Sequence, residues 1–75
     1  MTKKELIHSP DHYTHGGIET IDFIKAKLTP EEFRGYLKGS TLKYMSRLGL
    51  KNEPLQDAEK ARWFTARLIE ELKCL

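Results

Sequence analysis

Pro54-Leu55-Gln56-Asp57-Ala58-Glu59-Lys60-Ala61-Arg62-Trp63-Phe64-Thr65-Ala66-Arg67-Leu68-Ile69-Glu70-Glu71-Leu72 decides the fold class. Leu55, Ala58, Ala61, Thr65, Leu68 and Leu72 recur at steps of three and four, which is the spacing of one face of an α-helix. Pro54 stands at or near its start, and Asp57 falls near the first turn, where the helix dipole favours a negative charge. Trp63, Phe64 and Ile69 widen the apolar surface beyond a single seam. Such a helix is expected to bury one side in its own domain and another against a partner.

Working back from this helix, Lys51-Asn52-Glu53-Pro54 reads as a loop and Gly49 as the stop of a helix over about Thr41–Leu48. Thr29-Pro30-Glu31-Glu32 is a helix start: Thr29 caps, Pro30 fits the first helical position and Glu32 completes a capping box. Phe33, Tyr36 and Leu37 give that helix its apolar face. Gly35 and Gly39 weaken it, which predicts a break or bend near Gly39-Ser40. Gly16-Gly17 precedes a further helical pattern over residues 18–28, with Ile18, Ile21, Ile24 and Leu28 at helical spacing. Glu19 lies in its first turn, and Lys25 and Lys27 lie near its end. Residues 1–15 are polar, broken by Pro10 and without sustained periodicity. They read as an extended arm that a ligand or a neighbouring subunit would order. No segment alternates convincingly as a strand. The expected architecture is all-α: an arm over residues 1–15, then one compact three-to-four-helix domain over residues 16–75.

With 75 residues, the chain is at most one small domain, and a chain this short buries only about 60% of its unfolded surface. Disulfides, metals or oligomerisation commonly supplement such cores. The single cysteine, Cys74, cannot form an internal disulfide, and no Cys/His spacing resembles a zinc site. Homo-oligomerisation through the last helix is therefore expected. Thirteen basic residues stand against eleven acidic ones, for a formal net charge of +2. The two signs are interleaved, which argues against bulk attraction to nucleic acid or anionic lipid. A helix-turn-helix DNA reader would need a basic recognition helix that this sequence lacks. No apolar run approaches a membrane span, and Met1–His8 has no signal-peptide core, so a cytosolic location is expected.

Two constellations carry chemistry. In the first, His12 and Tyr13 precede His15-Gly16-Gly17-Ile18-Glu19. Glycines at a helix entry let backbone N–H groups approach a phosphate. His12 or His15 can donate to that phosphate or transfer a proton near neutral pH. Tyr13 can stack on a base. The plainer reading is a helix-entry turn with solvated histidines. Within the same stretch, Glu19 and Asp22 are three apart, as two carboxylates that carry Mg²⁺ would be. Ordinary N-terminal charges with a salt bridge to Lys25 or Lys43 would look the same.

The second constellation is Leu42-Lys43-Tyr44-Met45-Ser46-Arg47, with Lys51 beyond Gly49. Arg offers phosphate a bidentate fork and Lys a point charge. Like charges four apart repel slightly, although Asp57 or Glu59 can neutralise them. A solvated cationic helix end is the structural alternative. Lys60 would join a phosphate cluster, and Trp63 or Phe64 would cover a base, against the simpler role of core packing for both aromatics. The two constellations together point to a phosphate-bearing ligand and make a nucleotide the leading candidate.

The ordered series His12-Tyr13-x-x-Gly16-Gly17-Ile18-Glu19, Ile21-Asp22-Phe23-Ile24, Phe33-x-Gly35-Tyr36-x-x-Gly39, Leu42-Lys43-Tyr44-x-x-Arg47-x-Gly49-x-Lys51 and Asp57-x-x-Lys60-Ala61-x-x-Phe64 resembles a bacteriophage and prophage family of small helical proteins. The resemblance runs over roughly residues 8–72. That family is similar to a domain of the phage T7 nucleotide kinase, which phosphorylates deoxynucleoside monophosphates without the usual Walker phosphate loop. The resemblance implies that Lys43, Arg47 and Lys51 bind phosphates. It also implies that His12, Tyr13 and Gly17 shape a loop over the nucleotide and that Glu19 and Asp22 carry Mg²⁺. It places the protein in the host cytosol during infection or from a prophage. Gly-x-x-x-x-Gly-Lys-Ser/Thr is absent here too, so no ordinary P-loop kinase can be claimed. A catalytic site in so short a chain would form between subunits.

Three functions follow. The first is a nucleotide-binding phage protein with atypical deoxynucleoside monophosphate kinase activity. The second is a non-catalytic protein that sequesters nucleotide signals of bacterial immunity. The third is an all-helical nucleotide pyrophosphohydrolase. It is suggested by Glu19-x-x-Asp22 and weakened because Glu31-Glu32 lies in a capping box and Glu59 stands beside Lys60. Mono-, tri- and cyclic nucleotides are all candidate ligands.

Overall fold

A computed structural model of the chain describes residues 14–15, 18–50 and 53–75. Its helices account for the all-α class expected from the sequence. The chain divides into two compact units, Met1–Phe33 and Arg34–Leu75.

In the first unit, strands β1 (Thr14–His15) and β2 (Ile18–Glu19) pair antiparallel, with Thr14 opposite Glu19 and His15 opposite Ile18. Helix α1 follows over Thr20–Lys27. The helix expected over residues 18–28 thus starts two residues late, and the end of the expected arm is strand. The physical reason is a competition for backbone hydrogen bonds. The first turn of a helix leaves its N–H groups without partners, whereas a paired strand satisfies some of them and suits the β-branched Ile18. Glu19 is the residue before the helix, with extended backbone at φ −69° and ψ 143°. Asp22 lies in the first turn and Lys25 and Lys27 in the last, the charge order that the dipole favours.

Helix α2 (Pro30–Ser46) begins with the expected capping box. The Thr29 N–H donates to Glu32 Oε1 at 2.8 Å, and the Glu32 N–H donates to Thr29 Oγ1 at 3.1 Å. Each side chain satisfies a backbone donor that the helix cannot. The predicted break at Gly39-Ser40 does not occur, and the helix is continuous. Gly35 and Gly39 are exposed, and a Cβ at either would meet nothing within 4 Å. Their cost is a propensity penalty of about 1 kcal/mol each. One stripe of buried side chains, Phe33, Leu37 and Tyr44, spans both glycines and outweighs it. The helix ends at Ser46 rather than Leu48, and residues 47–50 form turns. Gly49 takes φ +84°, the left-handed geometry that glycine adopts readily after a helix, consistent with the expected stop.

In the second unit, helix α3 (Pro54–Lys73) runs antiparallel to the α2 segment. The contacts show this order: Arg47 meets Asp57, Tyr44 meets Lys60 and Phe64, and Tyr36 meets Phe64. The Thr65 hydroxyl lies 2.9 Å from the Ala61 carbonyl and 3.2 Å from Thr41 Oγ1, two acceptors that share its one proton. The inward stripe of α3 is Asp57, Ala61, Phe64 and Leu68, while Leu55, Ile69 and Leu72 are exposed. Of the residues at helical spacing, Ala61 is buried and Leu68 half-buried, while Leu55, Thr65 and Leu72 are exposed, and Asp57 shares the buried stripe. Arg67–Glu71 at 3.2 Å, half-buried, and Lys73–Glu70 at 3.3 Å, exposed, pair along the helix. Among the described residues no helix is long and apolar enough to cross a membrane.

Phe64 is the hub of the packing. Its ring stacks on Tyr44, with centroids 5.8 Å apart and planes at 10°. It also meets Tyr36 edge-on at 6.2 Å and Trp63 edge-on at 5.0 Å. Aromatic pairs of this kind contribute about 0.5–1.5 kcal/mol beyond area burial. Phe64→Leu is predicted to lower unfolding free energy by about 1–2 kcal/mol in urea denaturation, and no measurable loss would remove Phe64 from that role.

Candidate anion site at the Tyr44 cluster

Three cationic side chains gather around one buried ring. Lys43 closes α2 in its last turn, Arg47 follows in the first turn residue after the helix, and Lys60 lies one turn into α3 beyond Asp57. The distances to the Tyr44 ring centroid are 5.3 Å from Lys43 Nζ, 5.5 Å from Arg47 Cζ and 5.4 Å from Lys60 Nζ. All three fall within the range over which a ring quadrupole attracts a cation. Tyr44 is held for this role by Phe64 stacked against it.

The electrostatics are unbalanced. Asp57 is the carboxylate of the cluster: its Oδ1 lies 3.6 Å from Arg47 Nε, and its side chain is only 3% exposed. Glu59, the other neutraliser considered from the sequence, pairs instead with Arg62 at 3.8 Å. Among the described residues, neither Lys43 nor Lys60 has a carboxylate within ion-pair distance. Among the described residues, three positive groups and one carboxylate surround this aromatic platform. Such an arrangement can receive a phosphate through one planar fork and two point charges.

The structure brings together Lys43, Tyr44 and Arg47 from the set of expected site residues. It adds Lys60, foreseen only as a possible member, and gives Asp57 a burial that the sequence reading did not foresee. Asp57, Ala61, Phe64 and Leu68 lie at helical spacing on one stripe, but spacing alone does not say which stripe faces α2. Phe64 serves in packing, the simpler of its two expected roles. His12, Tyr13, Gly16, Gly17 and Lys51 lie outside the described residues. Glu19 and Asp22 belong to the first unit, with Glu19 ahead of α1 rather than within its first turn. Among the described residues, no group of three or more His, Cys, Asp or Glu side chains is arranged to hold a metal ion.

Residues 7–66 match DUF3310, a family described as proteins of unknown function, and the chain belongs to it. The chain is 38% identical over 66 residues to the gene 1.7 protein of enterobacteria phage T3, covering 83% of this chain and 40% of that protein. It is 42% identical over 50 residues to the nucleotide kinase gp1.7 of Escherichia phage T7, covering 65% of this chain and 26% of that kinase. The chain thus spans well under half the length of either relative. No solved structure matches it.

Proposed function

We propose that this DUF3310 protein binds nucleotides through their phosphates at the Tyr44 cluster, and that its finer activity is atypical deoxynucleoside monophosphate phosphorylation. The observation that carries the reading is the gathering of three cationic side chains around the Tyr44 ring, set beside a buried carboxylate. The similarity to a phage protein named nucleotide kinase supports the same ligand class. Phosphoryl transfer draws mostly on positioning and charge neutralisation, which Lys43, Arg47 and Lys60 would supply. His12, Tyr13, Gly16, Gly17 and Lys51 are proposed as further nucleotide contacts, and Glu19 and Asp22 as ligands for Mg²⁺ that accompanies a nucleotide. Non-catalytic sequestration is the second reading, because a charged receptor around a ring serves capture as well as turnover. The catalytic group is not assigned.

Thermal stabilisation against mono-, tri- and cyclic nucleotides, with and without Mg²⁺, tests the reading, since a ligand that binds only the native state raises its melting temperature. Stabilisation by a monophosphate and a triphosphate, with turnover of the pair, is expected for the kinase. A response to a cyclic nucleotide alone would favour sequestration, and a flat panel would contradict nucleotide binding. Arg47→Ala is expected to weaken binding about tenfold or more, in line with the loss of a charge-assisted contact, with its circular dichroism unchanged. Unchanged affinity would remove Arg47 from the site.

The exposed Ile69 and Leu72 on α3 are proposed as part of a homo-oligomer contact. Sedimentation should show the wild type larger than a monomer and the Ile69→Glu/Leu72→Glu variant shifted towards monomer. A monomeric wild type would refute that contact.

A further inference from the structure

We infer that Asp57 is the positioning residue of the anion site: it holds the Nε edge of Arg47 so that the rest of the guanidinium is presented to a phosphate. This rests on the phosphate-binding reading given above and assigns the site a part that touches no ligand.

Asp57 is an expensive residue in an apolar place. It shares the inward stripe of α3 with Ala61, Phe64 and Leu68, and it is 2% exposed overall. Buried ion pairs contribute little to stability compared with apolar residues of similar size, because desolvation consumes the Coulombic gain. Stability alone therefore does not account for a carboxylate here. The two buried side-chain polar atoms found without a hydrogen bond among the described residues are Arg47 Nε and Asp57 Oδ2. Both belong to this one pair, whose 3.6 Å separation is an ion-pair distance and longer than a hydrogen bond. Native structures leave few such atoms, and each requires an explanation.

Arg47 needs a restraint of this kind. It follows the last residue of α2 and sits in a turn, with its N–H bonded to the Tyr44 carbonyl at 3.3 Å and its carbonyl accepting from the Leu50 N–H at 2.8 Å. Its side chain is 37% exposed although Nε is buried. The guanidinium has one Nε–H and four Nη–H donors. Anchoring the Nε edge between Asp57 and the Tyr44 ring leaves the remaining donors as a preset fork, which lowers the entropy lost when a phosphate binds.

The inference predicts a sign that simple electrostatics does not. Asp57 subtracts one charge from the cluster, so if it were only a counter-charge, Asp57→Asn would tighten anion binding. A positioning role predicts the opposite. The experiment is titration of the full chain with ATP and, separately, with inorganic pyrophosphate, for wild type, Asp57→Asn, Arg47→Lys and the double variant. Asp57→Asn is expected to bind about tenfold more weakly despite its higher positive charge. Arg47→Lys, which keeps the charge but lacks Nε, is expected to fall by a similar factor. The double variant is expected to be no weaker than the weaker single one, because the two changes break the same interaction.

Binding by Asp57→Asn that equals or exceeds wild type, while Arg47→Ala loses it, would overturn the positioning role and leave the phosphate site standing. Should Asp57→Asn fail to fold, Asp57→Glu decides, since it keeps the charge and displaces the carboxylate: undiminished binding overturns the inference and a tenfold loss upholds it. A wild type that binds neither probe overturns the phosphate reading and this inference together.

Discussion

Asp57 puts a carboxylate on the inward stripe of α3, where an apolar side chain would cost less to bury, and Arg47 comes to meet it from the end of α2. Much of the second unit follows from that requirement. The α2 segment must run antiparallel to α3, so that the turn after Ser46 lies beside the first turn of the next helix. Tyr44, one helical turn before Arg47, then falls against Lys60 and Phe64. A unit with few fully buried apolar residues relies on this combination. The aromatic stack supplies packing, and the ion pair aligns the two helix ends.

The same requirement gathers positive charge. Bringing Arg47 to Asp57 also brings Lys43, from the last turn of α2, and Lys60, from the second turn of α3, to the Tyr44 ring. Among the described residues, mutual repulsion among three cations is offset in part by one carboxylate and by the ring quadrupole. A bound anion would supply the missing charge. This is why the cluster reads as a receptor rather than as scaffold. On the proposal made above, phosphate would be met by side chains at a helix-hairpin end rather than by a glycine-rich backbone.

Much of this was legible in the sequence. Thr29, Pro30 and Glu32 announced the start of α2 because capping is local chemistry, complete within four residues. Gly49 announced its end for the same reason. Lys43, Tyr44 and Arg47 were legible as neighbours because their spacing sets them near one another once the helix is granted. What escaped was non-local. The continuity of α2 through Gly39 depends on a buried stripe that bridges the glycine, and a propensity argument does not weigh that stripe. The short β1–β2 ladder depends on pairing across Gly16-Gly17, and two-residue strands carry too little alternation to be seen. Asp57 was read as a first-turn dipole charge, and its burial depends on where the facing helix lies. Leu55 and Leu72 matched the helical period but fell outside the buried register that Asp57 and Phe64 occupy.

The chain belongs to DUF3310 and spans well under half the length of the phage relatives it matches. The central claim is narrower: the Tyr44 cluster is where phosphate binds. Its most direct test is a nitrogen-15 correlation spectrum of the labelled protein during titration with ATP, read residue by residue. The account predicts saturable shifts concentrated at Lys43, Tyr44, Arg47, Asp57 and Lys60, including the Arg47 Nε–H resonance. Saturable binding that leaves those five residues unmoved would contradict it.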